Sequence, residues 1–144
     1  MSVNFDTVQI GQDLPRLFVP PVYRTMVALF AGASGDHNPI HIYVDFARRS
    51  GLPDVFSQGM LGMAWVARLL IQWATQSALR RLEFRSMGIT HLGNAMTCGG
   101  RVREKLALNG ESCVRIELRS CSQFGQTKIV GDAVVALALT SGIA

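Results

Sequence analysis

Between Gln58 and Thr75 the chain carries apolar residues on almost every side of a helix. Met60, Met63, Ala64, Ala67, Leu70, Ile71 and Ala74 recur at i, i+3, i+4 and i+7 and mark one face. Leu61, Trp65, Leu69 and Trp73 mark the opposite face, and Arg68 and Gln72 are the polar interruptions. A helix of this kind has to be surrounded by protein. The rest of the chain must therefore supply something large enough to wrap it.

Downstream of this helix the chain reads as strands. Glu83 to Ile89 and Asn94 to Leu106 are extended segments, and Asn109-Gly110 is a strong signal for a tight hairpin whose two central residues need positive φ. Ser112 to Ser120 alternates, with Val114, Ile116 and Leu118 on one face and Arg115, Glu117 and Arg119 on the other. Gly125 marks a second turn, and Ile129 to Leu139 is nearly continuous in apolar residues, as an interior strand would be. Before the long helix, Val8 to Val19 reads as an irregular strand and lead-in. Tyr23 to Ala33 reads as a helix and Asp45 to Ser50 as a short one. The fold class is α+β, a curled antiparallel sheet around a central helix. At 144 residues the chain suits one domain spanning residues 1–144.

Charge narrows the function classes. Charged residues are only 17% of the chain, against roughly 25% in ordinary soluble domains, which points to a buried oligomer interface or a very apolar core. The net charge of +4 arises between Arg80 and Arg119, where eight cations face four anions. Arginine supplies 12 of the 14 cations, and its fork suits phosphate; solvated strand faces account for the same pattern equally well. No helix-turn-helix, zinc or stacking pattern accompanies the charge, so nucleic acid is not expected. The longest apolar run, Gly59 to Ala67, is nine residues, against the roughly 20 of a membrane span. Three cysteines without C-x-x-C spacing argue against a disulfide framework or a zinc site. With no secretory signal apparent, a cytoplasmic setting is expected.

Chemistry is concentrated in Gly35-Asp36-His37-Asn38-Pro39-Ile40-His41. Pro39 keeps Asn38 out of helical conformation, so the segment is a turn. Across such a turn Asp36 and His41 can converge on one small volume, as a pair able to hold a water and move its protons. Asp and Asn are also ordinary turn formers, and a purely structural turn is the competing reading. Gly59, at the start of the long helix, is a second element. Its N–H lies among the free donors of a helix N-terminus, and glycine lets a ligand approach them. Simple flexibility at a helix start explains the glycine equally well. His37 reads as a loop residue, His91 as structural, and Trp65 and Trp73 as core.

The stretch from Tyr23 through Gly35-Asp36-His37-Asn38-Pro39-Ile40-His41, with Gln58-Gly59-Met60-Leu61 after it, resembles the MaoC-like dehydratases, which include the R-specific enoyl-CoA hydratases. The G-D-x-N-P-hydrophobic-H motif is complete. Gln58 stands where histidine is commonest in the family. The resemblance implies the hot-dog fold, usually as a homodimer or higher homo-oligomer. It implies hydration of trans-2-enoyl thioesters of coenzyme A or an acyl carrier protein, or the reverse dehydration, without metal or bound cofactor. Asp36 and His41 would form the catalytic dyad, with the base and the acid unassigned. The Gly59 N–H would hold the thioester oxygen, Asn38 and Gln58 would contact or shape the substrate site, and the basic strands would meet a carrier's phosphates. A hot-dog thioesterase and a non-catalytic subunit are the alternatives. The first typically places a carboxylate on the long helix, and residues 58–75 contain none. The second tends to lose the dyad.

Overall fold

The computed structural model describes residues 3–140. Five antiparallel strands form one sheet: β1 (Leu17–Val19), β2 (Leu79–Ser86), β3 (Met96–Leu108), β4 (Glu111–Ser122) and β5 (Thr127–Ala136). Their order across the sheet is β1-β3-β4-β5-β2. Three α-helices precede β2: α1 (Arg24–Ser34), α2 (Val44–Arg49) and α3 (Gly59–Trp73). The sheet curls against α3, which touches β1, β3, β4 and β5. This is the hot-dog arrangement of the α+β class.

The hairpin signal is met directly. Asn109 and Gly110 have φ of 50° and 79°, and they join β3 to β4. Along β4, Val114, Ile116 and Leu118 are fully buried, while Glu117 and Arg119 are exposed. The buried face meets Leu61, Trp65, Val66, Leu69 and Leu70 of α3 in the core. Cys98 and Cys113 are buried small residues, and burial pushes both thiols upward in pKa, so they stay protonated.

The expectation that α3 is enclosed on both apolar faces needs correction. The sheet covers the face of Leu61, Trp65 and Leu69, while Met60 is 63% exposed, and Ala64 and Ile71 are exposed beside it. A single sheet curls over one side of a helix, and no second layer among the described residues reaches the other side.

The basic stretch is also resolved into pairs. On the outer face of the sheet, Arg103 bonds Glu117, Arg101 bonds Asp13, and Arg115 bonds both Glu104 and Asp132. Arg80 pairs with Glu111, and Arg81 with Glu83. The guanidinium hydrogen bonds hold Asp13, Glu83, Glu111 and Glu117 below the usual carboxylate range. Each exposed pair contributes little to stability, but together they return most of the local positive charge to neutrality.

Gly131 on β5 is where the sheet is least tolerant. A Cβ there would stand 2.6 Å from the Glu83 carbonyl oxygen and 2.7 Å from the Phe84 ring. Backbone cannot retreat as a flexible side chain can. Gly131→Ala is therefore expected to destabilise the fold by about 1–3 kcal/mol, read as a lower urea midpoint with an unchanged slope.

Candidate active site

The Asp36 segment is built by short-range hydrogen bonds. Gly35 ends α1 in the left-handed region at φ 76°, with its N–H bonded to the Ala31 carbonyl. The Ser34 hydroxyl accepts the Asp36 N–H at 3.2 Å, and the Asp36 carboxylate accepts the Asn38 N–H at 3.3 Å. Asn38 Oδ1 in turn accepts the Ile40 N–H at 3.1 Å, capping a single turn of 3₁₀ helix, Pro39–His41. Asn38 and Pro39 therefore shape the turn that delivers His41.

His41 is buried, with its side chain 9% exposed, while that of Asp36 is 40% exposed. The imidazole packs edge-on against the Phe56 ring at 4.7 Å between centroids, and Nδ1 lies 2.8 Å from the Phe56 carbonyl oxygen. A carbonyl only accepts, so Nδ1 carries the hydrogen and the neutral ring presents its lone pair at Nε2. Nε2 faces Asp36 Oδ2 at 3.8 Å. That separation is too long for a direct hydrogen bond, and it suits one water at about 2.8 Å from each group. His37 is exposed, as a loop residue would be.

Phe56 links the dyad to the second half of the site. After it come Ser57 and Gln58, then Gly59 as the first residue of α3. The Gln58 carbonyl accepts the N–H groups of Leu61 and Gly62, so the N–H groups of Gly59 and Met60 precede the first intrahelical bonds and carry the positive end of the helix dipole. Nothing lies within 4 Å of where a Gly59 Cβ would sit. Gly59, Gly62, Phe56, Ser86, Gly88 and Ile129 are among the walls of a cavity of about 240 Å³. Asp36 and His41 do not line it; Phe56 stands between.

Gln58 is almost fully buried. Its Nε2 donates to the Val27 carbonyl of α1 at 2.9 Å, while Oε1 has no protein partner. The side chain thus ties the start of α3 to the helix that leads into Asp36. His91 pairs with Phe56 in an isolated bridge, and its N–H bonds to Asn94 Oδ1, a structural placement. Among the described residues no three of His, Cys, Asp and Glu come together as a metal site requires. Phe56 was invisible to side-chain reasoning, because it acts through a backbone carbonyl.

Residues 7–115 match the family model described as a MaoC like domain. The chain belongs to the MaoC-like family. Among curated proteins it is similar to the fatty acid synthase subunit beta of Saccharomyces cerevisiae, 40% identical over 54 residues. That match covers 38% of this chain and 3% of the yeast protein. Solved MaoC-like neighbours share the fold. The R-hydratase PhaJ1 from Pseudomonas aeruginosa superposes with a TM-score of 0.83 at 22% identity, over 96% of this chain and 87% of its own. The (R)-hydratase from A. caviae involved in PHA biosynthesis gives a TM-score of 0.79 at 25% identity, over 91% of this chain and 98% of its own.

Proposed function

We propose that this MaoC-like chain adds water to trans-2-enoyl thioesters, giving (R)-3-hydroxyacyl thioesters, and catalyses the reverse dehydration. The observation that carries the reading is the fixed tautomer of His41: with Nδ1–H held by the Phe56 carbonyl, Nε2 opposes Asp36 Oδ2 across a gap the size of one water. The R stereochemistry follows the two (R)-hydratase neighbours.

In this reaction Asp36 and Nε2 of His41 accept the two hydrogens of the water, leaving an oxygen lone pair for C3 of the enoyl group. The thioester carbonyl takes up the electrons of the alkene and is held as an enolate by the Gly59 N–H. The proton removed from water returns at C2, so one water is consumed and no redox change occurs. A positioned acid/base group contributes ~10²–10⁴-fold and an oxyanion donor ~10²–10³-fold, enough for a hydro-lyase without a cofactor. The handle is coenzyme A or an acyl carrier protein. We take the working unit to be a homodimer in the cytoplasm. The open edge of β2 and the exposed Met60 and Ile71 favour association, and three free cysteines suit a reducing compartment.

The test mixes purified protein with crotonyl-CoA, following enone absorbance and free thiol in parallel. Enone loss without thiol release is expected. Thiol release with the enone intact would make the protein a thioesterase instead. Neither signal, across short, long and branched enoyl chains, would make it a non-catalytic subunit.

A further inference from the structure

β3 carries two adjacent glycines, and packing accounts for only one of them. Gly100 faces the core, where a Cβ would stand 3.1 Å from Ile116 and Leu118 and 3.2 Å from Leu14. Gly99 faces the outer side of the sheet, and a Cβ there would meet nothing within 4 Å. Its φ also lies outside the left-handed region. Glycine inside a strand weakens it, and neither crowding nor backbone conformation calls for one here. A glycine so placed leaves the backbone open to the close approach of a ligand.

Two arginines flank the gap. Arg119 of β4 lies opposite Gly99, and Arg16, just before Leu17, flanks it from the β1 side, since Leu17 lies opposite Cys98. Neighbouring strands are about 4.8 Å apart, so the two arginines start about 10 Å from each other with no side chain between them. Arg81, Arg101, Arg103 and Arg115 on this face are each paired with a carboxylate. Arg16 has no ion pair or hydrogen bond among the described residues, and Arg119 gives two N–H groups to the neutral Thr127 hydroxyl. A hollow of about 460 Å³ opens over Gly99, with Arg16, Arg119, Thr97 and Ser122 in its walls and no carboxylate. Asp13 and Glu117 line the neighbouring hollow, where Arg101 and Arg103 fork them; Asp13 is close enough to feel the charge of Arg16 but bonds Arg101. Phe18 lies opposite Thr97 on the same face and is 70% exposed.

We propose that this hollow binds a nucleotide, with a phosphate between Arg16 and Arg119 over Gly99 and the base against Phe18. Guanidinium forks match the oxygens of a phosphate, and an aromatic face beside a cationic groove takes bases by stacking. The volume falls within the roughly 300–1,000 Å³ of small-molecule sites. The hollow lies on the face of the sheet turned away from α3 and the Gly59 cavity. The inference therefore goes beyond the thioester reading and stands whether or not hydration occurs. The nucleotide is either free or the nucleotide end of coenzyme A.

Calorimetric titrations in about 0.15 M salt, which screens general attraction, would use AMP, adenosine, inorganic phosphate and coenzyme A. AMP is expected to bind more tightly than adenosine or phosphate. Arg16→Gln and Arg119→Gln should each weaken AMP by about 10- to 100-fold. Phe18→Ala should weaken it by about 5- to 100-fold and leave phosphate unchanged. Gly99→Val fills the gap without touching either arginine; it should melt at or above the parent temperature, since valine suits a strand better than glycine, and lose AMP. Coenzyme A weakened by the same variants assigns the site to its nucleotide end, and coenzyme A unaffected assigns it to a free nucleotide. A parent that binds no AMP, or an AMP affinity unchanged in Gly99→Val, overturns the proposal. So does an equal loss in Arg49→Gln, which removes an exposed cation of α2 and alters only the general charge. Dimers that Gly99→Val breaks, in a parent that binds no AMP, would give this face to a second copy of the chain instead.

Discussion

Asp36→Asn and His41→Asn are each expected to lower crotonyl-CoA hydration by ~10²–10⁴-fold while far-UV dichroism and melting stay near the parent. The choice of asparagine at position 41 comes from the geometry. Its amide nitrogen can take the place of Nδ1 as donor to the Phe56 carbonyl, 2.8 Å away in the parent, but nothing replaces Nε2. Asp36→Asn keeps an oxygen to accept the Asn38 N–H, so the turn survives, yet the side chain is neutral and no longer takes a proton. In the proposed mechanism both groups hold one water, so their losses should not add, and the double variant should fall close to the worse single one. Near-parental turnover in either single variant would remove that residue from the mechanism. A collapse in melting temperature for either would show that the turn depends on the carboxylate or ring itself.

Gly59→Pro is expected to cost ~10²–10³-fold in kcat, with the fold retained. Proline is tolerated at the first position of a helix, where its missing N–H has no intrahelical partner to lose. The residue before a proline must be extended, and Gln58 already is, at φ −57° and ψ 140°. The substitution thus deletes one N–H at the helix start without breaking the helix, and because its ring also occupies the space beside Gly59, the alanine variant is the control for bulk. Gly59→Ala keeps that N–H and meets no neighbour within 4 Å, so it should fold at least as well as the parent; its methyl group would enter the space given to the thioester and raise KM. A proline variant with parental kcat would mean that the oxyanion is held elsewhere.

How much of the fold and site was legible in the sequence depends on where each signal resides. Strand alternation in β4 and the Asn109-Gly110 turn were legible because side-chain type and backbone conformation are set locally. The exposed face of α3 was not: Met60 and Leu61 are both apolar, so periodicity finds a helix without saying which side meets the sheet. β2 begins at Leu79 rather than Glu83, because pairing of Leu79 with Val135 prevails over the polarity of Arg80 and Arg81. Asp36 and His41 stood out because few side chains move protons near neutrality, and the turn does bring them together. Phe56 and the hollow over Gly99 stayed hidden for different reasons. One acts through its carbonyl, and the other exists only once β1, β3 and β4 choose their register.

The amide of Gln58 bears on heat tolerance. It is a strut between two helices, joining the start of α3 to α1, the helix that leads into Asp36. The sheet, with its long ladders from β3 to β5, is the last part expected to open, while α1 and the turn after it belong to the less protected shell. Once that shell loosens, Asp36, His41 and the helix start drift out of alignment, although every strand is still paired. Activity on warming should therefore fade several degrees before the sheet's dichroism does, as a thermal scan recording both signals on one sample would show.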